Sequence, residues 1–203
     1  MAVFEWDDFG ANHVISDMCQ SHDCRDKLLE LKEINPDFKA TLFAIPGEMT
    51  YELLEWSKKN KSWVELAYHG IFHSSNYECE RLTYNEFNFK MTALEIAYGN
   101  YFVQGFRAPG WQISDGIYRW LQERDWWIGD QGYNDDRRPA YMDAFVNYGG
   151  KFKVLPRVGN PYDVEVYHGH TWDVGWNGIY EDFEKVKVLV NEAKDFQFVS
   201  ELF

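Results

Sequence analysis

The chain has 203 residues, of which 45% are hydrophobic, enough to bury a core without disulfides or a structural metal. A formal net charge of -13 and a pI near 4.8 would repel a phosphate backbone, and no basic cluster offsets them, so nucleic acid is excluded as an expected partner. Three cysteines (Cys19, Cys24 and Cys79) without a Cys-x-x-Cys pair argue against a disulfide framework, and no leader or membrane anchor is visible, so the expected compartment is the cytoplasm.

Short apolar runs alternate with helical periodicity in chain order. Residues 3–6 read as a strand, and 22–34 as a helix with Leu28, Leu31 and Ile34 on one face and Pro36 as its stop. A strand over 39–45 closes at Pro46-Gly47. Thr50 caps a helix over 51–59, and a strand over 63–67 leads to His69. The helix over 83–98 carries an apolar stripe at Phe87, Met91, Leu94 and Tyr98. A strand over 101–106 precedes a helix capped near Ser114 that buries Ile117, Trp120 and Leu121, and 126–129 is a brief strand. Between 130 and 150 the pattern is weak, with a polar loop at 134–139. Strands over 151–155 and 164–167, a helix over 181–194 and a last strand over 196–202 complete the chain.

This alternation predicts one α/β domain over 1–203 built from parallel βα units, as a barrel or an open doubly wound sheet. The polar residues favour a barrel. Asp7 and Asp8, His69 and His73, Arg107, Asp130, and His168 with His170 all follow predicted strands, and in an α/β barrel those ends converge on one face.

The chemistry of these residues points to a metal. Imidazoles four positions apart, at His69 and His73, can face one point, and a carboxylate from the Asp7-Asp8 pair completes a facial three-ligand set. The open positions would hold water, whose pKa such an ion lowers to roughly 7, and the other carboxylate of the pair could take the proton. Taken one by one, the same residues have blander readings: Asp7 and Asp8 anchoring a turn, Arg107 in a surface ion pair, Trp111 in the core, Asp130 in a turn. Their conjunction is what carries the metal reading.

Taken together the motifs resemble the polysaccharide deacetylase (NodB-homology) family of carbohydrate esterases, along nearly the whole chain. Trp6-Asp7-Asp8-Phe9-Gly10 is similar to the family's Thr-Phe-Asp-Asp-Gly, His69-x-x-x-His73-Ser74 to its two-histidine motif, and Arg107-Ala108-Pro109-Gly110-Trp111 to its Arg-x-Pro segment. Trp127-Ile128-Gly129-Asp130 and Tyr167-His168-Gly169-His170-Thr171-Trp172-Asp173 resemble the last two. One departure is Phe9-Gly10-Ala11, where the family usually has Gly and Pro directly after the Asp pair.

The resemblance implies a distorted (β/α) barrel with about seven parallel strands, and a hydrolase that removes acetyl groups from an N-acetylated carbohydrate. It implies Asp7 as general base, Asp8, His69 and His73 as ligands of one divalent ion, Arg107 as the partner of Asp7, and Asp130 tuning a leaving-group histidine. That histidine is His170, with His168 as the alternative alignment. Trp111, His168 and Trp172 would line the substrate groove. Zinc suits the ligand set, and nickel, cobalt or iron could take its place. Two rival readings are a non-catalytic carbohydrate-binding barrel and a hydrolase of another non-peptide C–N bond.

Overall fold

The computed structural model describes residues 1–11, 13–15, 18–20, 22–75, 77–132, 154–158, 164–172 and 178–203. Strand β1 (Ala2–Phe9) is buried along its whole length. A hairpin of β2 (His13–Ile15) and β3 (Met18–Gln20) follows, where the sequence reads only as a polar loop. Strands this short leave too few alternating residues to register as a pattern.

The next elements are α1 (Arg25–Ile34), β4 (Ala40–Ala44), α2 (Tyr51–Lys59) and β5 (Val64–His69). Thr50 caps α2 as expected, its hydroxyl accepting from the Leu53 N–H at 3.3 Å. In α3 (Tyr84–Tyr98) the cap is a reciprocal pair, in which Thr83 accepts from the Glu86 N–H and Glu86 accepts from the Thr83 N–H. Strand β6 (Phe102–Arg107), α4 (Asp115–Glu123) with its Ser114 cap, and β7 (Trp127–Gly132) complete the first half of the sheet.

Residues 133–153, including the weakly patterned stretch, lie outside the described residues. Strand β8 is described over Val154–Val158; the first three residues of the predicted strand, 151–153, lie outside the described residues. Strand β9 (Glu165–His170) runs three residues further than expected, so His168 and His170 belong to the strand itself. After α5 (Phe183–Glu192), the predicted last strand shrinks to β10 (Phe196–Gln197) followed by a 3-10 turn over Val199–Leu202. Side chains on the barrel floor cause the difference: Thr41 Oγ1 accepts from the Val199 N–H at 3.0 Å, and Glu65 accepts from the Ser200 N–H at 3.3 Å. Those bonds take up backbone donors that a longer strand would have used. No described helix is long and apolar enough to cross a membrane.

All main-sheet pairings are parallel, in the order β9-β1-β4-β5-β6-β7-β8, with β10 sharing the edge of β1 that β4 uses further along. The sheet is curled. Three strand spacings separate β1 from β6, roughly 14 Å in a flat sheet and more than an arginine side chain spans. Arg107 on β6 nevertheless bonds Glu5 and Asp7 on β1 at 2.7 Å each.

Alternation along the strands separates two cores. Phe4, Trp6, Leu42, Leu66, Phe106 and Ile128 pack outward against the helices, and Val3, Phe43, Ala67, Trp127 and Val199 fill the concave interior. The expected distorted α/β barrel is therefore present, with the carboxyl ends of its parallel strands on one rim.

Candidate metal centre

Strand β1 breaks its own alternation at the rim. Consecutive strand residues point to opposite faces. Asp8, however, has φ of 69°, and the β1–β4 register shifts between Trp6 and Phe9, so a bulge brings the neighbouring Asp7 and Asp8 carboxylates to the same side. Aspartate tolerates the left-handed region better than most residues. His73 and Trp111, also at the rim, have φ of 50° and 63°.

Asp8 Oδ1 lies 3.2 Å from His69 Nε2 and 3.2 Å from His73 Nε2, and ligand atoms of all three residues fall within 4.8 Å of one another. Despite that proximity, the buried Oδ1 makes no hydrogen bond. One carboxylate oxygen and two imidazole nitrogens converging at this distance fit a divalent cation, and that donor set suits zinc and its neighbours. The His69 ring is set for that role. Its Nδ1 faces the Arg107 carbonyl at 3.2 Å, which places the ring hydrogen there and leaves Nε2 bare.

The loop carrying His73 is held by a residue that sequence reasoning missed. The Glu78 carboxylate accepts the N–H groups of Ile71 at 2.6 Å, Phe72 at 3.3 Å and Ser74 at 3.2 Å. Gly70 permits the turn: its φ is 60°, and a Cβ there would lie 2.6 Å from Pro109. No motif marks an acceptor of this kind in a sequence.

Next to this triad stands a second cluster. Ligand atoms of Asp7, His168 and His170 also lie within 4.8 Å of one another, but Asp7 is bonded to a cation already: Arg107 Nη1 donates to its Oδ1 at 2.7 Å. Arg107 is fully buried, with its guanidinium 3.7 Å above the Phe43 ring. Gly129 makes that path possible, since a Cβ there would meet the guanidinium at 2.6 Å and Phe43 at 2.8 Å. Glu5 shares the guanidinium and was also missed. Its position two residues before Asp7, inside an otherwise apolar run, is the only sequence signal that could have found it.

These contacts set the charges. Burial would raise the Asp7 carboxyl, but Arg107, then His168, His69 and His170, outweigh it and hold it at about 2. Burial likewise opposes ionisation of Asp8, and the surrounding imidazoles bring it well below the ordinary carboxylate range. His170 is pushed down to about 4 by burial, against the pull of Asp7 and Asp8, so it is neutral at pH 7.

The two histidines of β9 are both partly buried as residues; the His168 side chain is 3% exposed, and the His170 ring stacks on Trp172 at 4.1 Å. Trp111 stands 5.3 Å from the His168 ring and 4.7 Å from the Arg107 guanidinium. Trp172 Nε1 donates to Asp8 Oδ2 at 2.8 Å. Asp130 lies on β7, and its side chain is outside the described residues, as is Asp173. All the other anticipated site residues meet at one rim.

No protein-family model and no curated protein sequence matches the chain. Solved structures do. A family 4 acetyl xylan esterase from Clostridium thermocellum, in complex with a cobalt ion, superposes with a TM-score of 0.59 at 14% identity, over 100% of this chain and 89% of that one. The chitin deacetylase from the fungal pathogen Colletotrichum lindemuthianum gives 0.56 at 14% identity, over 100% and 86%. A CE4 family pseudoenzyme from Bacillus anthracis gives 0.55 at 16% identity, over 100% of this chain and 64% of that one. The fold is that of the NodB-type, family 4 carbohydrate esterases.

Proposed function

We propose that the protein is a metal-dependent hydrolase that removes acetyl groups from an N-acetylated carbohydrate. The observation that carries this reading is the adjacency of two carboxylates with opposite duties: Asp8 facing two imidazoles at 3.2 Å, and Asp7 held by Arg107 at 2.7 Å.

Asp8, His69 and His73 would hold the ion, most simply zinc, although nickel, cobalt or iron accept the same donors. A divalent ion bound there would acidify water and polarise a carbonyl oxygen. Asp7 takes the proton from the attacking water; Arg107 keeps its carboxylate ionised and aimed. His170 is neutral at rest, so the proton that Asp7 takes from water passes to it and from it to the departing nitrogen, which restores both groups. His168 is engaged through Nδ1 by Glu5 at 3.2 Å and Arg107 at 3.4 Å, which favours His170 for this role. The Trp111 ring, poised over the Arg107 guanidinium, offers a wall for the substrate.

Acetate release tests the reading. Zinc-loaded protein should liberate acetate from N-acetyl chitooligosaccharides. Release from acetylated xylan alone would move the substrate to an O-acetyl ester, and turnover of small cyclic amides alone would favour the other C–N hydrolase. Binding of sugar with stoichiometric metal and no turnover would make the protein a non-catalytic carbohydrate-binding barrel, a possibility kept in view by the pseudoenzyme among the similar folds.

A further inference from the structure

Glu5 is a charged residue with no exposed surface in the middle of a strand, and the reaction just set out makes no use of it. Removing a carboxylate from water is costly unless it is paired and hydrogen-bonded. Its partners are specific. Oε1 accepts from Arg107 Nη2 at 2.7 Å and lies 3.2 Å from His168 Nδ1. Both partners also flank Asp7: Arg107 Nη1 donates to Asp7 Oδ1 at 2.7 Å, and His168 Nε2 lies 3.9 Å from Asp7 Oδ2.

Strand pairing builds this arrangement. Glu5 is the register partner of His168 across β1 and β9, and Asp7 is the partner of His170 two residues on, so the four side chains form two rungs on one face. The other Glu5 oxygen, Oε2, is buried and makes no hydrogen bond. Among the described residues, the bonding of Glu5 is thus directed at the two groups on either side of Asp7.

We propose that Glu5 is the positioning residue of the general base: one buried carboxylate oxygen clamps Arg107 and His168 together, and through them fixes where the Asp7 carboxylate points. The proposal rests on the hydrolase reading, which makes Asp7 the base. His168 Nδ1 faces both the Glu5 carboxylate at 3.2 Å and Arg107 Nη1 at 3.4 Å; the shorter contact is to the acceptor, which favours the ring hydrogen on Nδ1 and restrains the ring. A residue that merely neutralised the buried guanidinium would need no particular geometry at His168.

The test combines kinetics with nitrogen NMR of the histidine rings in metal-loaded protein. In the wild type, His168 Nδ1 should carry hydrogen. Glu5→Gln, which keeps the shape and loses the charge, should retain stoichiometric zinc and a KM within about twofold, while kcat falls about tenfold or more, the worth of one hydrogen bond to a charged group. The His168 ring signals should shift in the same variant. Glu5→Asp, charged but one carbon shorter, should recover part of the lost kcat.

A Glu5→Gln kcat equal to wild type would overturn the proposal. So would a wild-type His168 whose Nδ1 bears no hydrogen, a measurement that holds even where the variant fails to fold. Wild-type protein without turnover on any acetylated sugar defeats the hydrolase reading instead, and the NMR outcome distinguishes the two failures.

Discussion

Trp172 donates its indole N–H to Asp8 Oδ2 at 2.8 Å while its ring lies against His170, 4.1 Å away at an interplanar angle of 21°. The residue expected to line the substrate groove therefore also fastens the carboxylate that faces the two imidazoles. It occupies one Asp8 oxygen and leaves the other turned toward them. Trp172→Phe keeps the ring and loses the donor, so zinc affinity should fall about tenfold, as for other groups that orient a metal ligand. Competition against a calibrated chelator measures it, and an unchanged affinity would show that Asp8 needs no such restraint.

Ligand removal should act all or none. Asparagine tolerates the left-handed backbone of Asp8, so Asp8→Asn changes the donor without forcing the bulge open. Asp8→Asn, His69→Ala and His73→Ala should each purify with almost no zinc by elemental analysis. Saturating zinc at a hundred times its dissociation constant should stabilise the wild type by about 2.7 kcal/mol, and these variants by almost nothing. Equal thermal shifts in wild type and all three variants would place the ion elsewhere.

Glu78 supplies the next expectation. Deleting its carboxylate leaves the N–H groups of Ile71, Phe72 and Ser74 without their acceptor. Glu78→Ala should cost about 1–3 kcal/mol of stability and speed amide exchange at residues 71–74. If exchange there stays at wild-type rates, the carboxylate is not what holds the His73 loop.

Asp7 gives a prediction with a sign in pH. Its folded-state value of about 2 lies below the ordinary 3.8, because Arg107 and the nearby imidazoles outweigh burial. A depressed carboxyl stabilises the fold above its unfolded value and loses that contribution as the pH falls through the folded value. In metal-free protein, the stability advantage of wild type over Asp7→Asn should be about 2 kcal/mol larger at pH 5 than near pH 2. Urea titrations at the two pH values read the difference. The same variant, metal-loaded, should keep its zinc and lose on the order of a hundredfold or more in kcat.

The architecture was legible where periodicity is long and capped. Thr50, Thr83 and Ser114 mark helix starts that the structure reproduces, and βα alternation was enough for the barrel. Strand ends were harder to place. Nothing local announces that β1 runs through the Asp pair with a bulge, or that β9 carries both histidines, because each extension is stabilised by neighbouring strands far away in sequence.

The rim residues were readable as chemistry through their conjunction: two imidazoles four apart and a paired carboxylate, all at predicted strand ends. Glu5 and Glu78 were not. One lies in an apolar run and the other in a turn, and each acquires its purpose only from partners that folding brings to it: Arg107 and His168 for Glu5, the backbone of 71–74 for Glu78.

Strand β1 carries Glu5, Asp7 and Asp8, yet it pairs with β9 and β10 as well as β4. In the order of synthesis β1 must wait for residues 165–197 before two of its three ladders can form. A cation captured at Asp8, His69 and His73 before then would meet a half-built cradle.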